Sequence, residues 1–206
     1  MKRFDGAIWK SPNVQRYNGA NWIKAIAKRF DGSNWVQLNN ETKKVTLVTT
    51  WTQVYNQNNA KITFENSNRL CQGNYTTGYG YQGIHRNLVG FDTSSLIGKS
   101  IKSVRVYVYS THWWYNAGGT LFLGYHGHSA KPNTFSHLAY AKKTQNYTTR
   151  VQGQWITMPS DFAKGIGTGA IRGFSIFNND NTLARYGKFN GFGMANAPKM
   201  EVTYED

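Results

Sequence analysis

Apolar and polar positions alternate in short runs along most of the chain, and clusters of Gly, Asn, Ser and Thr separate the runs. A period of two puts successive side chains on opposite faces, which marks a half-buried β-strand. Candidate strands are 45–54, 61–64, 87–91, 101–109, 120–125, 154–157, 173–177 and 199–204. The clearest is Ile101-Lys102-Ser103-Val104-Arg105-Val106-Tyr107-Val108-Tyr109. Its valines share one face and belong in an inter-sheet core, while Arg105, Tyr107 and Tyr109 form the other. That basic and aromatic ladder suits a glycan or a sister subunit. One helical turn, capped by Ser160, is expected at Pro159-Ser160-Asp161-Phe162-Ala163-Lys164. Many short strands with regular turn signals predict an all-β chain, with an antiparallel β-sandwich (jelly roll) over 48–206.

The first forty residues carry a different pattern. Arg3-Phe4-Asp5-Gly6-Ala7-Ile8-Trp9, Arg16-Tyr17-Asn18-Gly19-Ala20-Asn21-Trp22 and Arg29-Phe30-Asp31-Gly32-Ser33-Asn34-Trp35 repeat at a strict spacing of 13 residues. Asp-Gly and Asn-Gly between bulky residues signal hairpins, because Gly supplies the positive φ of a tight turn. A two-residue turn sets Phe4 opposite Ala7, whereas a four-residue turn sets Phe30 opposite Trp35. Either register keeps both aromatics on one face and the preceding basic residue on the other. Isolated hairpins are marginal in water. Phe4, Trp9, Tyr17, Trp22, Phe30 and Trp35 are therefore expected to serve packing, attachment or oligomerisation, with Tyr107 and Tyr109 as further candidates. A repeated sugar or choline site is the alternative. The expected division is hairpin repeats over 1–40, a polar linker over 41–47 around Glu41-Thr42-Lys43-Lys44, and the sandwich over 48–206.

Charge and cysteine content narrow the partners. The formal net charge is +14, of which +6 falls up to Lys44 and +8 beyond it, so the basicity is diffuse. It suits a polyanion such as nucleic acid or teichoic acid, or simply a solvated surface. Cys71 is the only cysteine, which excludes an intrachain disulfide and fits a reducing cytosol. No stretch reaches transmembrane length, so no membrane partner is expected. Met1-Lys2-Arg3-Phe4-Asp5 is charged but precedes no apolar run, so no cleaved secretory signal is expected.

Two resemblances bear on function. Asn87-Leu88-Val89-Gly90-Phe91-Asp92-Thr93-Ser94-Ser95-Leu96, then Ile101-Lys102-Ser103-Val104-Arg105-Val106-Tyr107-Val108, resembles the pattern of carbohydrate-binding-module-like jelly rolls of the DNRLRE type. The ending Ala197-Pro198-Lys199-Met200-Glu201-Val202-Thr203-Tyr204 is similar to that family's closing strand, although Val104 stands where the family usually has Ala and Ala197 where it often has Arg. The front motif is similar to aromatic-Asp/Asn-Gly-x-x-Trp repeats in tail, baseplate and fibre proteins of phages that infect Gram-positive bacteria. Together they imply a virion protein, assembled in the host cytoplasm and exposed on the particle. They further imply a homotrimer with other virion proteins as partners.

The chain offers little for catalysis. A glycosidase needs two carboxyl groups facing across a cleft. Glu65 and Asp180 are the pair that folding has to bring together, and nothing in their spacing proposes it. His126-Gly127-His128 would point two imidazoles the same way on a strand, a weak metal signal without a nearby acid or cysteine. No nucleophile elbow, phosphate loop or paired-cysteine zinc site is present. No catalytic residue, metal or cofactor is expected. Two aromatic loops remain, one with Tyr79 and Tyr81, the other His112-Trp113-Trp114-Tyr115-Asn116. Tyr and Trp give sugars flat stacking surfaces, and Asn and His supply directional hydrogen bonds. Host cell-wall polysaccharide or teichoic acid is the expected ligand, with these loops as its site. A ligand-free spike or cement protein and a wall-polysaccharide hydrolase are the alternatives. Single-stranded nucleic acid ranks below them, because the basic groups do not cluster beside the aromatics.

Overall fold

The computed structural model describes residues 3–4, 9–10, 15–24, 28–30, 32–37, 41–75, 83–180 and 182–206. The chain divides into two compact units, Met1–Glu41 and Thr42–Asp206. The first unit holds three antiparallel hairpins: β1 (Arg3–Phe4) with β2 (Trp9–Lys10), β3 (Gln15–Tyr17) with β4 (Trp22–Lys24), and β5 (Lys28–Phe30) with β6 (Trp35–Gln37). In each, the aromatic pairs directly with the tryptophan: Phe4 with Trp9, Tyr17 with Trp22, Phe30 with Trp35. This is the register of a four-residue connection, and it excludes the two-residue alternative. In the second hairpin the Asn18 side chain accepts the backbone N–H groups of Ala20 and Asn21, at 3.1 and 2.8 Å. Gly19 then turns the chain at φ +96°, which an L side chain resists. The Phe30 and Trp35 rings lie 5.6 Å apart. Tyr17, Phe30 and Trp35 are all more than half exposed.

The second unit is an antiparallel β-sandwich whose strands are β7 (Lys43–Tyr55), β8 (Lys61–Ile62), β9 (Leu70–Tyr75), β10 (Gly83–Phe91), β11 (Ser100–Trp113), β12 (Gly119–His126), β13 (Ala139–Tyr147), β14 (Gln152–Thr157), β15 (Gly173–Phe177), β16 (Gly187–Phe189) and β17 (Lys199–Glu205). One layer runs β13-β12-β15-β10-β7-β8, and the other centres on β11, flanked by β14 on one side and by β17 and β16 on the other. Two strands serve both layers. The first half of β7 pairs with β17 and its second half with β10. The switch falls at Thr49, whose hydroxyl donates to the Gly90 carbonyl at 3.0 Å beside a bulge in the pairing. In the same way, β9 pairs with β16 through Leu70–Gln72 and with β10 through Gly73–Tyr75. The expected 41–47 linker is therefore corrected: Lys43 to Leu47 are strand, and Val45 and Leu47 pack on the core. Alternation begins at that point, and polar residues on the outward face made the segment look like a linker.

The core forms where the inward faces meet. Val104, Val106 and Val108 of β11, Leu121 and Leu123 of β12, Phe174 and Ile176 of β15, and Met200 and Val202 of β17 are all buried. The valine face predicted from alternation is the core face. Cys71 is in this core, and burial pushes its thiol well above the ordinary value, so it is an inert packing group. Buried amides hold the crossover of β9. Asn87 donates to the carbonyls of Cys71 and Ile176 at 2.7 and 2.9 Å and accepts the Cys71 N–H. Gln72 donates to Thr120 and Arg185 carbonyls and accepts the Phe122 N–H. The helix α1 (Ser160–Thr168) is longer than the single turn expected, and Pro159, not Ser160, is its N-cap. No side chain caps the first turn, where Asp161 sits favourably for the helix dipole. Phe162 and Ile166 anchor the helix on the core, and Gly169 ends it in the left-handed conformation.

Candidate functional site

The outward face of the β13-β12-β15-β10-β7 layer is partly covered by its own β12–β13 connection, residues 127–138. Tyr55 on β7 donates its hydroxyl to the Pro132 carbonyl at 2.8 Å, and burial pushes the phenol up to about 12, so it stays a donor. The Phe135 N–H donates to the Asn59 carbonyl at 3.0 Å, and Ala60 bridges to Thr134. Trp51, Tyr55 and Leu88 form a second small core beneath, against Phe135. The connection is thus tied to the 56–60 turn and leaves an open groove of about 460 Å³ beside it.

Phe177 and Arg86 are register partners on β15 and β10, and both line the groove. Phe135 and His137 come from the connection, Tyr140 from β13, and Asn179 from the segment after β15. Around Phe177 the ring centroids of Tyr140, Phe135 and His137 lie at 5.2, 5.7 and 5.9 Å. The Arg86 guanidinium sits 4.8 Å from the centre of the Phe177 ring. Its Nη1 donates to the Asn59 side-chain oxygen at 2.6 Å and the Gln57 carbonyl at 2.7 Å. Burial, and then the Arg86 charge, lowers the His137 pKa, so near neutral pH this imidazole presents one donor and one acceptor. Flat apolar rings beside neutral polar groups and one cation can hold a ring-shaped polyol by stacking and directional hydrogen bonds.

The residues expected to bind sugar are placed otherwise. Trp113 is fully buried, packed against Tyr147 and Phe189 at 5.6 and 5.4 Å, and is corrected from ligand contact to core. A register shift between Ser110 and His112 is the reason. One extra residue reverses the face on which every following side chain falls. His112 is half-buried, edge-on to Tyr186, and accepts from Arg150 Nη2 at 2.8 Å. Trp114, Tyr115 and Asn116 are exposed, around a tight turn closed by Tyr115 and Gly118. They lie in the connection between β11 and β12, outside the residues that line the groove. Tyr79 and Tyr81 lie outside the described residues. Tyr107 and Tyr109 are half-buried on the outward face, and Tyr107 packs on its strand partner Trp155 at 5.4 Å.

The titratable candidates are engaged within the fold. His126 is buried, with Nε2 donating to the Val89 carbonyl at 2.9 Å and Nδ1 accepting the His128 N–H at 3.2 Å. Both ring nitrogens are used by the protein, and His128 stacks on His126 at 5.5 Å. No group of three or more metal-ligating side chains occurs among the described residues. Burial alone raises Glu65, but its ion pairs with Lys188 and Arg69 outweigh this and bring it below the ordinary value. Hydrogen bonds from Thr182 lower Asp180, and Arg185 pairs with it. A general acid requires the opposite shift.

The groove residues escaped the sequence reading because they come from four separate segments. Phe177 carried the one available signal: Phe174 and Ile176 point inward, so parity sends Ser175 and Phe177 outward. No helix among the described residues is long and apolar enough to cross a membrane. Compared with known proteins, the chain matches no family model and no curated sequence.

Proposed function

We propose that this is a non-enzymatic glycan-binding protein of a phage particle, whose sandwich holds host cell-wall polysaccharide in the groove floored by Phe177. The carrying observation is the groove itself, in which three aromatic rings and neutral polar groups converge on an exposed sheet face. An ionised Glu65, paired with Lys188 and Arg69, and an ionised Asp180, paired with Arg185, favour binding over hydrolysis. Phe177→Ala is expected to weaken binding to purified wall polysaccharide by about tenfold or more, the equivalent of about 1.4 kcal/mol. The same assay on Trp114→Ala is expected to show wild-type affinity. The reverse pattern in affinity electrophoresis moves the site to the connection between β11 and β12.

The hairpin unit is proposed as the attachment and oligomerisation element, since Tyr17, Phe30 and Trp35 are exposed. Light scattering on the intact protein is expected to give the mass of a homotrimer. A monomer overturns the oligomer and returns Tyr17, Phe30 and Trp35 to ligand binding.

A further inference from the structure

We infer that the groove takes an acidic sugar unit, with the side edge of the Arg86 guanidinium holding its carboxylate or phosphate. This rests on the glycan-binding reading and specifies its ligand. Arg86 is half-buried between apolar rings, 4.8 Å from the Phe177 centroid and 5.9 Å from that of Phe135. Only Nη1 is occupied, by Asn59, Gln57 and more weakly by the Asn56 carbonyl at 3.4 Å. Nε and Nη2 make no hydrogen bond among the described residues. These two N–H groups are parallel and lie on one edge of the plane, the geometry that grips two oxygens of an anion.

Among the described residues no carboxylate lines the groove. All seven acids of the sandwich are committed elsewhere. Glu65, Asp180, Glu201, Glu205 and Asp206 are in ion pairs with other cations. Asp92 binds Ser94, and Asp161 binds Tyr125. A partly desolvated guanidinium with an open fork and, among the described residues, no counter-ion favours a ligand anion more than an exposed, fully hydrated lysine does. Phe177 and Tyr140 then stack against the ring that carries the acid. The diffuse positive charge brings such a polymer to the surface, and Arg86 supplies the shaped contact within the groove.

The test is titration calorimetry at physiological salt with three probes: dextran, oligogalacturonate and a phosphorylated mannan. The variants are Arg86→Gln, Arg86→Lys and, as a charge control on the exposed face of β13, Lys142→Gln. The two acidic probes distinguish a carboxylate from a phosphate ligand. Arg86→Gln is expected to weaken the preferred acidic probe by about tenfold or more. Arg86→Lys, which keeps the charge but not the fork, is expected to lose several-fold. Lys142→Gln is expected to change affinity by less than roughly twofold, as for other exposed charges. Melting curves identify any variant that fails to fold, and Arg86→Lys then decides. Equal losses in Arg86→Gln and Lys142→Gln, or none in either, overturn the inference. Binding of dextran alone, abolished by Phe177→Ala, overturns the acidic unit and leaves the glycan reading standing. Binding of none of the three overturns both.

Discussion

Trp113→Ala is expected to destabilise the sandwich by about 3–5 kcal/mol, the range for removing a fully buried large aromatic. Its ring has no exposure and packs edge-on to Phe189, with Tyr147 on another side. Two glycines make room for it. A Cβ at Gly119 or Gly187 would stand 2.3 or 2.7 Å from a Trp113 ring carbon. Neighbours this tightly fitted cannot collapse into the space left by alanine, so most of the cavity persists. A typical domain has about 5–15 kcal/mol in total, so the variant loses a large fraction of its stability. Urea denaturation measures this, with Trp114→Ala as comparison. Trp114 is 42% exposed, and its truncation is expected to shift stability by about 0.5 kcal/mol or less. A wild-type midpoint for Trp113→Ala would falsify the placement of this ring. The consequence for function is direct. Loss of wall binding in Trp113→Ala reports unfolding, and only the groove variants report ligand contact.

The second large effect is acid sensitivity set by buried histidines. Burial lowers His126 and His85 from 6.5 to about 4 each. Their native imidazoles therefore stay neutral while the unfolded chain takes up protons. Stability from this source is complete above about pH 6.5 and falls as pH drops toward 4. Each histidine contributes a slope of about 1.4 kcal/mol per pH unit and about 3 kcal/mol in all. His112 and His137 are also lowered, first by burial, and add the same sign. The carboxylates act in a separate window. Glu65, Asp92, Asp180, Glu201 and Asp206 lie below their ordinary values of 3.8 or 4.5, so their stabilisation is lost mainly at lower pH. The range from pH 6.5 to 5 isolates the histidines. Urea midpoints at pH 7, 6 and 5 are expected to fall steadily with an unchanged slope m. A flat midpoint across that range contradicts neutral buried imidazoles, as does protonation of His126 near 6.5 in an imidazole NMR titration.

Much of the fold was legible because it depends on local pattern. Alternation located β11, β15 and β17 to within a few residues and assigned Val104, Val106 and Val108 to the core. The strands it missed lack that signal. β13 reads Ala-Tyr-Ala-Lys-Lys-Thr-Gln-Asn-Tyr and sits at a sheet edge with one face in water. β9 carries Gln72, Gly73 and Asn74 where apolar residues would announce a strand. Its backbone makes way for the crossover at Gly73, where a Cβ would stand 2.6 Å from the Arg185 carbonyl oxygen.

The site was far less legible. His112 to Asn116 stood out as an aromatic run, yet the first of its two tryptophans, Trp113, turned inward at a bulge. Arg86, Phe135 and Tyr140 carry no signal in their own segments, and strand parity alone sends Phe177 outward. Sequence alone determined the hairpin repeats, the all-β class and the core face of β11, because steric turn preferences and a two-residue period act between near neighbours. Tertiary structure alone decided the strands shared between layers, the inward turn of Trp113 and the groove around Phe177. Those outcomes depend on which distant strands pair and where a single extra residue is absorbed, and no local pattern carries that information.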